Sequence, residues 1–374
     1  MVRGLGTHEL LPAQNVLAGE GASKAYTDSL NGPPGAVVVS SRAREEEPIK
    51  GIIQSLETTG WWIVEPPPAE PSVMEVPEVL AHRTDVEGLS RILAIGGGGI
   101  VDFAKALGCL LRAPDRYWQL VDKRHVRLMA DYGFPHLIAI PTTIGSGSEV
   151  SSSAVLRRPD WIKGYLSGPP LLPQTAILDP LLVMNSPVWV RAWSSLDLIG
   201  HALEASMSKL HNPGATLFAE SSLRVALSQV QEFLQTDSVE KVLEMQWAGH
   251  LAGVAQDRML VGPAHVLAHH FSSIPHGLGV GWFLRGLVSV YAAEGGELTW
   301  RFEQLLTRIG FSQSELVATL DRLLETALVE PHRNLRELTF PTQLEDLESD
   351  TAGSASPIPM SEDLLSRIWK EATR

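Results

Sequence analysis

With 374 residues, 44% of them hydrophobic and 20% charged, the chain has enough apolar material for two domains of about 100–200 residues each and is not disordered overall. Forty-three acidic against thirty basic residues leave a formal net charge of −13. That is the wrong sign for nonspecific attachment to nucleic-acid backbones or anionic membranes, so any anionic ligand must be held by a local site.

Residues 1–9 contain no apolar core of signal-peptide length, and no apolar run approaches the roughly 18–20 residues of a membrane span. The lone cysteine, Cys109, excludes an internal disulfide and fits a reducing compartment. The expectation is an acidic cytoplasmic protein with no nucleic-acid or membrane partner.

Short apolar runs alternate with turn signals up to about residue 180. Ala36–Ser40, behind Pro33-Pro34-Gly35, reads as a buried strand, and Trp61–Val64, Arg91–Ile95 and Leu137–Ile140 read as three more. Helix-length segments lie between them at 45–57 and 101–112. This rhythm predicts an α/β domain over 1–183, a doubly wound, mostly parallel, Rossmann-like sheet. From Pro187 onward the patterns follow the helical period, as in 203–210, 217–234 and 316–329. The second domain, 184–374, is therefore expected to be all-helical, with a polar loop at 347–359 before a last helix.

Two loops directly follow predicted strands. Gly96-Gly97-Gly98-Gly99-Ile100-Val101-Asp102-Phe103-Ala104-Lys105 opens a predicted helix, where free N–H groups and the helix dipole favour an anion such as phosphate. The spacing is not that of the ordinary dinucleotide fingerprint, so a plain tight turn is the other reading. The second loop, Pro141-Thr142-Thr143-Ile144-Gly145-Ser146-Gly147-Ser148-Glu149, offers hydroxyls and glycines at the same sheet edge, or a capped helix start.

Seven of the twelve histidines fall between 201 and 276. Asp197 and His201 stand four apart, on one helical face about 6 Å along the axis, and His265 and His269 repeat that spacing, with His276 after Pro275. One carboxylate and two or three imidazoles suit a divalent ion such as Fe²⁺ or Zn²⁺. A capping box opened by Ser194 is the alternative for Asp197.

Together these segments resemble the iron-containing, group III alcohol dehydrogenase family. The resemblance runs from about residue 36 to 290 and includes Lys163 before Asp179-Pro180, the segment Ser195–Glu204, and Pro275-His276-Gly277. It implies a dehydroquinate synthase-like architecture and hydride transfer between a nicotinamide and a small alcohol or aldehyde. It implies metal ligands at Asp197, His201, His265 and His276, with Asp197 essential to turnover and His269 a non-ligand in proton relay. It also implies pyrophosphate on Gly97, Gly98 and Gly99, and a cofactor cleft lined by Thr142, Thr143, Ser148, Lys163 and, in the same loop, Asp102. A homodimer is the family's usual assembly.

Three positions depart from the family pattern. Gly99 replaces a serine. After the first predicted strand, Ser41 and Arg42 stand where NAD-using members tend to carry an aspartate, which favours NADP over NAD through pairing with a 2′-phosphate. The link from His269 to His276 is short, so His276 could be displaced and His270 could substitute as a ligand. A metal-dependent cyclase of the dehydroquinate synthase type and a non-catalytic relative with a spoiled metal site are the rival readings.

Overall fold

The computed structural model describes residues 14–67, 70–81, 86, 88–129, 132–271, 274–328 and 351–373. The readings made on residues 1–9, on Ser272 and Ser273, and on 347–350 lie outside them. The strands are β1 (Asn15–Ala18), β2 (Ala36–Val39), β3 (Trp62–Val64), β4 (Arg91–Gly96), β5 (His125–Arg127), β6 (His136–Pro141), β7 (Ser153–Arg157), β8 (Lys163–Ser167) and β9 (Thr175–Leu178). Six of them form an all-parallel sheet in the order β1-β9-β6-β4-β2-β3.

The apolar runs become strands because both faces of this sheet are covered. Val38, Ile92, Ala94 and Leu137 point into a core shared with Phe103 and Leu107 of the helix Gly98–Arg112. Their neighbours Val37, Val39, Leu93 and Ile138 point into the opposite core, against Ile49, Ile52, Ile53 and Leu56 of the helix Ile49–Thr58. Alternate side chains thus meet different helices, which is why the runs are continuously apolar. The register pairs Gly96 with Pro141, so the glycine loop and the Thr142–Glu149 loop leave the sheet at one edge.

A second, three-stranded sheet has the order β5-β8-β7, with β8 parallel to β5 and antiparallel to β7. Its strands are only three to five residues long and each begins and ends on a polar residue, so the sequence pattern misses it. The strands β1 and β9 were missed as well. The helical segment read over 45–57 is divided: Ser40 caps a short helix Ser41–Arg44, and the next helix begins only after Pro48, because proline has no N–H to give to a continuing helix. The helix read over 203–210 is the end of a longer one, Val188–Met207.

After β9 every described element is helical. Val188–Met207 is buried over most of its length and packs against the helices Pro213–Phe233, Val239–Met259, His276–Ala293 and Gln313–Ala327. Its first turns are anchored by Arg191, whose buried guanidinium donates to the carbonyls of Phe233 (2.8 Å), Thr236 (3.0 Å) and Met184. No helix among the described residues is long and apolar enough to cross a membrane.

The helical part meets the sheet edge backbone to backbone. A Cβ added at Gly249 would lie 1.8 Å from the Ile144 carbonyl oxygen, so only glycine allows the helix Val239–Met259 to approach that loop. Gly249→Ala is therefore expected to cost about 1–3 kcal/mol by overpacking. Gly51→Ala, on the exposed side of the helix Ile49–Thr58, should gain about 0.5–1 kcal/mol. Urea denaturation of the two variants checks both signs.

Candidate metal centre and cofactor cleft

Gly97 is the N-cap of the helix Gly98–Arg112 and has extended backbone with no side-chain cap, which leaves first-turn N–H groups available to a ligand. A Cβ on Gly98 would fall 2.6 Å from the Ser146 Cβ, so the two loops of the sheet edge touch there. Beneath them Asp102 accepts from the Ser148 hydroxyl (3.0 Å) and the Val155 N–H (3.1 Å). Burial pushes the Asp102 carboxyl up, against the nearby Lys105 charge. Lys105 in turn donates to the carbonyls of Ser151 (2.9 Å) and Ser153 (2.7 Å). Asp102 and Ser148 are thus bonded to each other, joining the helix to β7, while still reaching the cavity wall.

That cavity has a volume of about 870 Å³ and extends from Gly97–Gly99 and Thr143 to Asp197 and the histidines. A smaller recess of about 150 Å³ adjoins it, lined by Ser40, Arg42, Thr142, Thr143 and Val190. Ser40 lines this recess in place of Ser41, which opens the short helix and is exposed. Arg42 reaches the recess but pairs with Glu46 at 3.0 Å on an exposed surface, and Arg44 is held by Glu57 and Glu65.

Across the cavity, Asp197, His201 and His265 offer ligand atoms all within 4.8 Å of one another. Asp197 and His201 lie one turn apart on Val188–Met207, and Asp197 sits mid-helix with no capping role for Ser194, whose hydroxyl donates to the Arg191 carbonyl (3.1 Å). His265 comes from the helix Pro263–His270, and its Nε2 is 3.3 Å from Asp197 Oδ1. His276 is the first residue of the next helix, and its Nε2 is 3.6 Å from the same oxygen. The short link therefore keeps His276 beside the cluster, while His270 is exposed and edge-on to Phe271.

Two of the rings are held from behind. His201 donates from Nδ1 to the Gly145 carbonyl (2.9 Å), which leaves Nε2 as its open nitrogen. His265 Nδ1 lies 2.5 Å from Glu204 Oε2, and the other Glu204 oxygen accepts from the Ala264 N–H (2.7 Å). Burial by itself lowers His265, but the Glu204 and Asp197 carboxylates outweigh it and push its pKa up to about 9. Burial likewise holds His201 and His276 below the ordinary imidazole value. It would raise Asp197, but His201 and His265 hold that carboxyl low.

His269 lies alongside: its ring stacks on His276 at 5.3 Å and its Nδ1 meets the Tyr165 hydroxyl at 2.7 Å. Lys163 is buried, donates to Glu70 (2.8 Å) and stands 3.5 Å from His276 Nδ1. Glu204 and Tyr165 were not singled out as site residues from sequence. Glu204 had a readable signal, since it lies three residues beyond His201 on the same helical face. Tyr165 had none, because its strand went unread.

Two family models match the chain: iron-containing alcohol dehydrogenase over residues 13–180, and the C-terminal model of the same family over 191–355. An alcohol dehydrogenase of Thermococcus barophilus is 28% identical over 82% of this chain and 82% of its own. A 1-propanol dehydrogenase of Salmonella typhimurium is 30% identical over 67% of this chain and 66% of its own. The solved iron-containing alcohol dehydrogenase of Thermococcus thioreducens superposes with a TM-score of 0.82 at 24% identity, over 97% of this chain and 99% of that one.

The fold and the family models define a metal-dependent oxidoreductase acting on alcohols. The chain belongs to the iron-containing alcohol dehydrogenase family. These likenesses give the cyclase reading no support.

Since the Glu204 carboxylate holds the inner nitrogen of His265, Glu204→Gln is expected to weaken Zn²⁺ or Fe²⁺ binding by about 10–100-fold. Competition with a calibrated chelator measures this.

Proposed function

We propose that Asp197, His201, His265 and His276 hold a divalent ion, and that the cavity between them and the glycine loop is where a small alcohol and its aldehyde exchange a hydride with NADP(H). The carrying observation is that one buried carboxylate and three imidazoles gather on the wall facing the glycine-lined sheet edge. The donor set fits the ion: one anionic oxygen and three imidazoles suit Fe²⁺ and Zn²⁺ alike, with His265, which its carboxylate neighbours favour in the charged form, giving up a proton on binding. The glycine loop fits a pyrophosphate, having close backbone and no Cβ at its helix start.

When bound, the ion supplies Lewis acidity at the substrate oxygen and the nicotinamide takes or gives the hydride. Gly145 and Glu204 keep His201 and His265 turned towards the centre. Gly97, Gly98 and Gly99 present N–H groups to the pyrophosphate, with Asp102 and Ser148 bracing that loop from below. Thr143 and Lys163 line the nicotinamide end, and Thr142 and Arg42 the adenosine end. His269 moves a proton at Nε2, since Tyr165 occupies its Nδ1.

Arg42 supports NADP over NAD. Its present pair with Glu46 is exposed, of a kind worth about 1 kcal/mol or less, and is readily exchanged for a 2′-phosphate. We propose the family's homodimer as the assembly, which light scattering tests.

Asp197→Ala is expected to remove bound metal and turnover together while leaving dinucleotide binding largely intact. Elemental analysis, an aldehyde assay and cofactor titration check the three parts, and turnover by a metal-free Asp197 variant would overturn the assignment. Arg42→Ala should weaken NADPH binding by about tenfold, the loss of one charge-assisted hydrogen bond, and leave NADH nearly unchanged. Titration with each cofactor reads the difference.

A further inference from the structure

One whole face of the small sheet is a wall of the cavity. The register sets His125 beside Tyr165, Arg127 beside Ser167 and Ser153 beside Ser167, and all of these side chains line the cavity. Three arginines and a lysine also line it, and most of them are matched by a carboxylate. Lys163 pairs with Glu70, Arg157 with Glu75, and Arg258 stands 3.7 Å from Asp257. Asp257 is further engaged by the N–H and hydroxyl of Ser152.

Arg127 is the exception: among the described residues its side chain has neither an ion pair nor a hydrogen bond. Its neighbour His125 bonds to the Ser167 hydroxyl at 2.7 Å. Partial burial and the Arg127 charge hold that imidazole below its ordinary value, which leaves the strand's cationic character with Arg127.

Position in the fold says which ligand this cation faces. β7 is the strand tied to the glycine-loop helix, through Val155 and Asp102. β5 lies on the far side of β8 from it, so Arg127, an exposed residue of the cavity lining, stands two strands away from the strand bonded to that helix. Along β8 the step from Tyr165, at His269, to Ser167, beside Arg127, is two residues or about 7 Å. That is the reach of a chain of a few carbon atoms. In a protein of net charge −13 the overall field repels anions, so an unmatched arginine in this wall is a local device for holding one.

We propose that the alcohol or aldehyde used here carries an anionic group at the end remote from its reacting carbon, and that Arg127, with Ser167 beside it, binds that group. The proposal rests on the redox reading above for the reaction, and on Arg127 alone for the charge.

The test compares 3-hydroxypropionate with 1-propanol, and 4-hydroxybutyrate with 1-butanol, on the metal-loaded protein. The anionic member of at least one pair should have the higher kcat/KM, by about tenfold or more, the scale of one charged hydrogen bond. Calorimetry should show it binding where the neutral alcohol does not. Arg127→Met should bring both ratios close to one, and Arg127→Lys should restore part of the preference.

Equal or better use of the neutral alcohol in both pairs would overturn the proposal. So would an Arg127→Met variant that keeps the preference, or one that loses NADPH binding instead. If the anions bind in an Arg127-dependent way but no alcohol of either kind is oxidised with either nicotinamide, the anion site stands and the redox reading fails.

Discussion

Asp197 is a carboxylate only 6% exposed, and a charge removed from water must be compensated or it cannot stay. Here the compensation comes from imidazoles, and they are useful because they cannot turn away. The Gly145 carbonyl holds one from behind and Glu204 holds another. The sheet-edge loop therefore orients a ring on the helical part, so the two halves of the chain share one polar centre. Metal sites are tuned by such outer partners as much as by the ligands themselves.

The cleft on the other side of that centre is built with backbone where a ligand must come close and with paired charges where rigidity is needed. Glycines at the helix start leave N–H groups bare, while Asp102, Ser148 and Lys105 bind the turn to β7 below. A buried charge fully bonded in this way costs little and fixes position.

The small sheet gives the cavity its individual character. Its wall carries Tyr165 against His269 and, among the described residues, offers Arg127 no counter-charge. Its strands are short, and they are held by Val126, Ala154, Leu156 and Leu166 in the core, by the bond from β7 to the helix behind it and by the pairing of β8 on both sides.

The sequence by itself determined the parallel sheet, because strands buried on both faces must be continuously apolar, and the helical second half, because its patterns keep the 3.6-residue period. Four-residue spacing also put Asp197 with His201 and His265 with His269, each pair on one helical face, while the ligand set of Asp197, His201, His265 and His276 came from the family resemblance. Only the tertiary structure decided that His276 stays beside Asp197 despite a short link and that His270 does not, because those outcomes depend on where the next helix starts and points. It alone disclosed Glu204 as the partner of His265 and the sheet of β5, β7 and β8. Such contacts join residues far apart in the chain, and no local period records them.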